Sequence, residues 1–409
     1  MVRLGDVCET INGIWKGTKA PLVTVGIIRS TNMTKQCEFS LEKTVYVDVE
    51  ERKYRQRKLL PGDIIVERSG GGPGQPVGRA VYFDVKDGEY SVSNFTSILR
   101  VKDDACLSAK FLQKCLTAQY FQGVTEGIQS NTTGLHNLDF EAYLNIEIPL
   151  PPLSVQREIV ARLERELAAV EKMKKGFEAL AETAKAEFKA ELKEVFEEIS
   201  CGGAYPPAEG CPRSGCPSRG ETRRLGEIGR VVTGTTPSKG NKSFYGGEWP
   251  FYKPADLNQG HNTIVSGDSL TDVGWQNARQ LPVNSVLVTC IGATLGKTGI
   301  IRREGACNQQ INAIVCDEAA LPEYVYYSIL SPQFQSMLWL SSNSTTLPMV
   351  NKSTFEKFAI PLPPLSAQRE VVARLDGAKA KAEKLEAKAR EGVAVCETMR
   401  KAILKEAFE

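Results

Sequence analysis

IPLPPLSVQREIVARLE at Ile148–Glu164 returns as IPLPPLSAQREVVARLD at Ile360–Asp376, identical at 14 of 17 positions and offset by 212 residues. A match of that length does not arise by chance, and its offset of about half the 409-residue chain makes the sequence a tandem duplication. The stretch also dictates local structure. Pro149, Pro151 and Pro152, like Pro361, Pro363 and Pro364, exclude helix. Ser154 and Ser366 then read as N-caps, with Glu158 and Glu370 close behind. A helix of about 45 residues is expected from each. In the second, Val371, Leu375, Ala378, Ala382, Leu385, Ala389, Gly392, Cys396, Met399 and Ile403 form an apolar or small-residue seam with 4-3 spacing. In the first, Val160, Leu163, Leu167, Val170, Phe177, Ala181, Ala184, Phe188 and Val195 take heptad a and d positions, interrupted by Lys174 and Glu191. The seams mark Leu163, Leu167, Leu375, Leu385 and Met399 as pairing and subunit-interface candidates.

Weaker echoes extend the repeat upstream. Arg3-Leu4-Gly5-Asp6 matches Arg224-Leu225-Gly226-Glu227, and LPGDIIV from Leu60 corresponds to LPVNSVLV from Leu281. Both are followed by a glycine-rich stretch and a cation, Arg79 or Lys297, and SNTTG from Ser130 echoes NSTTL from Asn343. Five segments follow: a globular domain over 1–152, a central helix over 153–200, a linker over 201–222, a second domain over 223–364 and a C-terminal helix over 365–409. The linker CGGAYPPAEGCPRSGCPSRG holds nine Gly or Pro in its first twenty residues and cannot be helical. Its Cys201, Cys211 and Cys216 do not have a standard zinc spacing, and no metal is expected. Both domains read as mixed α/β. Thr44–Val49, Ile64–Glu67, Ala80–Asp84 and Val286–Thr289 have strand character, and Leu107–Phe121 and Leu321–Leu340 have helical period.

Composition narrows the function classes. Hydrophobic residues at 42% and charged residues at 24% are globular values. No apolar run approaches the ~18 residues of a spanning helix, and the N-terminal segment lacks a secretory signal, so a cytoplasmic protein without a membrane partner is expected. Eleven cysteines without a C-x-x-C pair fit reduced thiols. With 51 basic and 49 acidic residues the net charge is +2, so any polyanion contact must be local.

No enzyme motif is complete. Gly292-Ala293-Thr294-Leu295-Gly296-Lys297-Thr298 is one residue short of a phosphate-binding P-loop, and its counterpart before Arg79 has no Lys-Thr. A turn between two strands fits better. Gly70 to Gly74 lacks the dinucleotide fingerprint, and neither His136 nor His261 has a nucleophile motif beside it. Polar and basic clusters remain. ERKYRQRK carries Arg52, Lys53, Arg55, Arg57 and Lys58 around a tyrosine, suited either to phosphate contacts or to a solvated strand flank. Arg29, Ser30 and Asn32 follow one apolar run, as Lys253 and Asp256 follow another. Ser93, Asn94, Phe95 and Thr96 are matched by Gln309, Gln310, Ile311 and Asn312. Such side chains make bidentate base contacts when they emerge from strand ends.

Two divergent α/β units, each closed by I-P-L-P-P-L-S-x-Q-R-E and a long helix, resemble the specificity subunit of a type I restriction-modification system. The resemblance covers the whole chain and departs from the family in the Cys-, Gly- and Pro-rich linker. It implies two target recognition domains in tandem, each reading half of a bipartite sequence in double-stranded DNA. It also implies an antiparallel coiled coil of the two helices that docks two methyltransferase subunits, with restriction subunits joining through the complex. Catalysis would then belong to other chains, and S-adenosylmethionine to the methyltransferase. A scaffold whose repeated domains bind a partner other than DNA, and a stand-alone modification enzyme, are the competing readings.

Overall fold

Ile64-Ile65-Val66-Glu67 has no polar alternation, the mark of a strand buried on both faces. The computed structural model, which describes residues 1–71, 74–132, 135–200, 221–342 and 347–409, places it at the centre of the first unit. That unit comprises Met1–Glu178 and Arg390–Glu409; the second comprises Ala179–Ala389.

The strands of the two main sheets of unit 1 are β1 (Cys8–Asn12), β2 (Leu22–Ile28), β3 (Val45–Glu50), β4 (Ile64–Glu67), β5 (Ala80–Tyr82), β6 (Tyr90–Val92) and β7 (Thr96–Val101). One antiparallel sheet has the order β1-β7-β4-β5, and a second has the order β3-β2-β6 with β2 parallel to β6. Period-two packing explains the centre. Ile64 and Val66 face Phe111 and Leu112 of helix α1 (Ala109–Phe121), while Ile65 packs among Ile11, Ile28 and Ile98 on the opposite side. Helix α2 (Leu153–Ser200) begins in this unit, where Val160 joins the α1 cluster.

Unit 2 repeats the plan with β8 (Gly229–Thr233), β9 (Tyr245–Tyr252), β10 (Asp268–Leu270), β11 (Gln280–Leu281), β12 (Val286–Thr289), β13 (Thr298–Ile300), β14 (Gly305–Cys307) and β15 (Ile311–Cys316). Its sheets run β8-β15-β12-β13 and β10-β9-β14-β11, with β9 parallel to β14. The glycine-rich stretch before Lys297 is a turn between antiparallel β12 and β13. The helical period over Leu321–Leu340 resolves into α3 (Pro322–Leu330) and α4 (Pro332–Leu340), because Pro332 cannot continue α3 and Ser331 caps α4. The final helix is α5 (Leu365–Glu406).

Each long helix begins one residue before the serine read as its cap: Leu153 and Leu365 are already helical, and the Gln156 and Gln368 amides bond to Pro152 and Pro364 carbonyls at 3.1 and 3.0 Å. The repeated glutamine makes the same joint in both halves. Gln156 is fully buried; its Nε2 donates to the Cys106 and Pro151 carbonyls at 2.9 and 2.8 Å, and its Oε1 accepts from Ser108 N at 2.8 Å. Gln368 repeats the joint, donating to Ala319 and Pro363 carbonyls and accepting from Leu321 N, all at 2.8 Å. Ser108 and Leu321 precede α1 and α3, so one buried amide ties the start of each long helix to the helix of its own domain.

The two long helices pack together along the expected seam. In unit 1 Leu163, Leu167 and Leu404 form one cluster with Ala118, and the Phe177 ring fills the place of a side chain at Gly392, where a Cβ would lie 2.5 Å from it. In unit 2 Leu192, Val195 and Phe196 pack with Leu375 and Tyr324. Met399 departs from the expectation. It is 39% exposed, because Arg400 turns inward instead and pairs with Glu38 at 2.8 Å. Among the described residues, no helix is long and apolar enough to cross a membrane. The linker with Cys201, Cys211 and Cys216, together with Thr133 and Gly134 of the SNTTG echo and residues 343–346 of the NSTTL echo, lies outside the described residues.

Candidate nucleic-acid interface

Register aligns the sequence candidates of the two units. Ile28 opposes Val92 across β2 and β6 as Tyr252 opposes Cys307 across β9 and β14. Arg29 therefore corresponds to Lys253, and Ser93, Asn94 and Phe95 correspond to Asn308, Gln309 and Gln310. The Ser93 and Asn308 amides make the same bond, to Ile28 and Tyr252 carbonyls at 2.9 and 3.1 Å. Gly13 and Gly234 lie against this joint. A Cβ at either would fall 1.9 or 2.1 Å from the carbonyl oxygen of Ser93 or Asn308, so only glycine fits.

In unit 2 the two strand ends enclose a cavity of about 150 Å³ lined by Lys253, Asp268, Gln309 and Gln310 with Thr236, Lys239, Tyr245, Phe251 and Asn308. Asn308 Nδ2 donates to Gln310 Oε1 at 2.9 Å, Thr236 donates to Gln309, and Lys253 pairs with Asp268. Lys239 is exposed and belongs to no ion pair among the described residues. It was missed from sequence; the signal was Gly234 followed by a short loop ending in a cation, as Gly13 is followed by Lys16. Lys297 is half-buried at the nearby turn, where Gln310 Nε2 reaches the Ile291 carbonyl at 3.4 Å.

In unit 1 Asn94 and Phe95 are exposed, and Arg29 is half-buried with Nη2 on the Lys43 carbonyl at 3.2 Å. Arg68, also missed, donates to Asn12 Oδ1 at 3.0 Å and lies 4.4 Å from the centre of the Phe140 ring. Ser30 is half-buried in a short turn.

Several candidates are placed differently from expectation. Asn32 is 1% exposed; its Oδ1 accepts from Arg29 N at 3.0 Å and its Nδ2 donates to Ser40 O at 2.9 Å. Asp256 does the equivalent work, accepting from Lys253 N at 2.7 Å and from Gly267 N at 3.0 Å. Both shape the loop from inside it. Arg79 does not project: it is 4% exposed and bound to Glu67. Burial works against its charge, but the hydrogen bond and charge of Glu67 outweigh this and raise its pKa. The basic octapeptide is a helix over Glu51–Arg57, not a strand flank, because buried Tyr54 anchors one face of it. Its cations are largely spent: Lys53 pairs with Glu50, Arg55 with Glu51, Lys58 with Glu89, and Arg57 bonds the Gly13 carbonyl at 2.6 Å. Arg52 remains exposed without an ion pair among the described residues.

Of the histidines, His261 lies with Nδ1 2.9 Å from Lys379 Nζ, and burial, then the Lys379 charge, hold it below its ordinary pKa. Among the described residues no group of three or more His, Cys, Asp or Glu could hold a metal.

The model of the type I restriction modification DNA specificity domain matches residues 1–177 and again 217–393. The chain belongs to this family. Curated specificity-domain relatives include the type I restriction enzyme HindI specificity subunit of Haemophilus influenzae, 34% identical over 218 residues, or 52% of this chain and 44% of that subunit. The EcoR124I/EcoR124II specificity subunit of Escherichia coli is 27% identical over 38% of this chain and 40% of its own length. The matched stretches thus span less than half of those relatives. Two solved structures share the fold of this chain. A chain from work on complex assembly and conformational transition of the type I R-M system superposes with a TM-score of 0.75 at 20% identity, covering 100% of this chain and 97% of that one. The HsdS subunit from Thermoanaerobacter tengcongensis gives 0.55 at 19% identity, covering 100% and 95%.

Proposed function

We propose that this chain reads a bipartite sequence in double-stranded DNA, one half per unit, and assembles methyltransferase and restriction subunits into a type I complex. The observation that carries this reading is the repeated loop pair. One scaffold presents Arg29 with Asn94 and Phe95 in unit 1, and Lys253 with Gln309 and Gln310 in unit 2. Different hydrogen-bonding side chains on the same two loops are what two different half-sites require, because bases are distinguished by donor and acceptor patterns at groove edges. In this reading the chain itself is non-catalytic and binds no cofactor. S-adenosylmethionine is held by the methyltransferase subunits, two of which dock on the long helices, and the complex works in the cytoplasm.

Gel shifts of the full chain on duplexes of varied sequence test the DNA function. The expected result is sequence-preferring binding whose affinity falls steeply as salt rises, since each neutralised phosphate adds about 0.9 to the log-log slope. Weak binding that is flat in both salt and sequence would favour a coiled-coil scaffold with a partner other than DNA.

A further inference from the structure

Arg79 lies beneath the loop that carries Arg29, and every N–H of its guanidinium is engaged. Nε and Nη2 hold the Glu67 carboxylate at 2.8 and 2.7 Å, Nη1 bonds the Met33 and Thr34 carbonyls at 2.7 and 3.3 Å, and Nη2 also reaches the Ser30 carbonyl at 3.4 Å. Five donors meet five acceptors, three of them backbone oxygens of one short loop. Glu67 is fully buried. Removing two charges from water is costly, and an apolar pair of similar volume commonly serves a core as well or better.

The second unit demonstrates that the strand pair does not need this arrangement. Glu67 N bonds the Arg79 carbonyl at 2.9 Å as Thr289 N bonds the Lys297 carbonyl at 2.8 Å, so Thr289 and Lys297 are the equivalents. They form no ion pair, and the buried Thr289 hydroxyl has no partner among the described residues. What unit 1 gains from its pair is a fixed loop. The far side of that loop is held by a second buried arginine, Arg400, on the Gln36 carbonyl at 3.1 Å and on Glu38 at 2.8 Å. A lysine could not replace Arg79, since a point charge with three donors lacks the planar fork that spans carboxylate and carbonyls together.

We propose that Glu67 and Arg79 are positioning residues that hold the Ser30–Thr34 loop, and with it Arg29, in its DNA-reading conformation, so that half-site fidelity in unit 1 depends on a buried pair that touches no base. The proposal rests on the DNA-reading function proposed above. It is tested with the full chain assembled with its methyltransferase subunits and scored by methylation of a randomised duplex library. Arg79→Lys and the double variant Glu67→Leu/Arg79→Met should each lose discrimination by about tenfold at one or more positions of a single half-site, within the range one bidentate contact supplies. The other half-site should stay unchanged. A folded double variant with parental discrimination overturns the proposal, as does rescue by Arg79→Lys. A double variant that cannot fold overturns it too, because the pair would then be a fold determinant. Absence of sequence preference in the parent complex is a different failure, that of the DNA reading itself, and is seen before any variant is made.

Discussion

Gln310 and Lys239 line the same small cavity, yet their chemistry predicts different losses. An amide that meets a base edge discriminates among bases, whereas an ammonium on a phosphate does not. Gln310→Ala is expected to relax one position of a half-site by about 1–3 kcal/mol, and Lys239→Ala to weaken all sequences alike and lower the salt slope by about 1. Lys253→Ala should cost less than Lys239→Ala, because Lys253 already shares its charge with Asp268. Binding isotherms at several salt concentrations on matched and mismatched duplexes separate the three. At this scale the sequence was legible where the repeat supplied a second example: Arg29 aligns with Lys253 as read, whereas the register pairs Asn94 with Gln309, one residue away from the Ser93–Gln309 match that the sequence suggests. It was illegible where a side chain's partner lies elsewhere in the chain. Nothing around Arg79 announces Glu67 across a strand pair, and nothing in Asn32 announces the Ser40 carbonyl that takes its amide. Exposure of a polar side chain is a property of the folded neighbourhood, so Asn32, Asp256 and Arg79 looked like their exposed counterparts.

The long helices were readable as elements because their seam is a periodic pattern that needs no tertiary information. Even the interruptions have an account: Lys174 pairs with Glu397 at 2.5 Å in unit 1, and Glu191 with Arg374 at 2.6 Å in unit 2. Depth along the seam was not readable. Leu375 is fully buried, whereas Leu385 is half-buried and Met399 exposed. Leu375→Asp should therefore destabilise unit 2 by about 3–5 kcal/mol or more, leaving an uncompensated charge among Val195, Phe196 and Tyr324. Leu385→Asp should cost clearly less, and Met399→Asp should lie near the ±0.5 kcal/mol of ordinary surface changes. Thermal unfolding of the three variants orders them. Copurification with the methyltransferase subunit then distinguishes a docking defect, which leaves the melting temperature intact, from a folding defect. The Ser331–Pro332 break did have a signal, a serine cap followed by proline at the first helical position. The periodicity on both sides masked it.

Across the whole molecule the compact units do not coincide with the linear halves of the duplication. Unit 1 is completed by the last twenty residues of the chain, Arg390–Glu409. Phe408 packs edge-on to Phe111 at 5.5 Å, Leu404 joins Leu163 and Leu167, and Arg400 holds Glu38. This changes how a domain exchange must be designed. Replacing Val2–Ile148 with the domain of another family member would set new side chains against Leu404, Phe408 and Arg400 and take the Glu38 carboxylate from Arg400. Exchanging 2–178 together with 390–409 keeps those contacts within one donor. The expected outcome is that the paired exchange matches the parent in melting temperature and changes one half of the methylated motif, with the other half intact. The exchange of 2–148 alone should melt lower while changing the same half. Methylome sequencing reads the motif and calorimetry reads the stability. A paired exchange that alters both halves would mean that base reading is not confined to one unit. Equal stability of the two chimeras would mean that the terminal segment contributes little to unit 1, against the burial of Leu404 at 1% exposure.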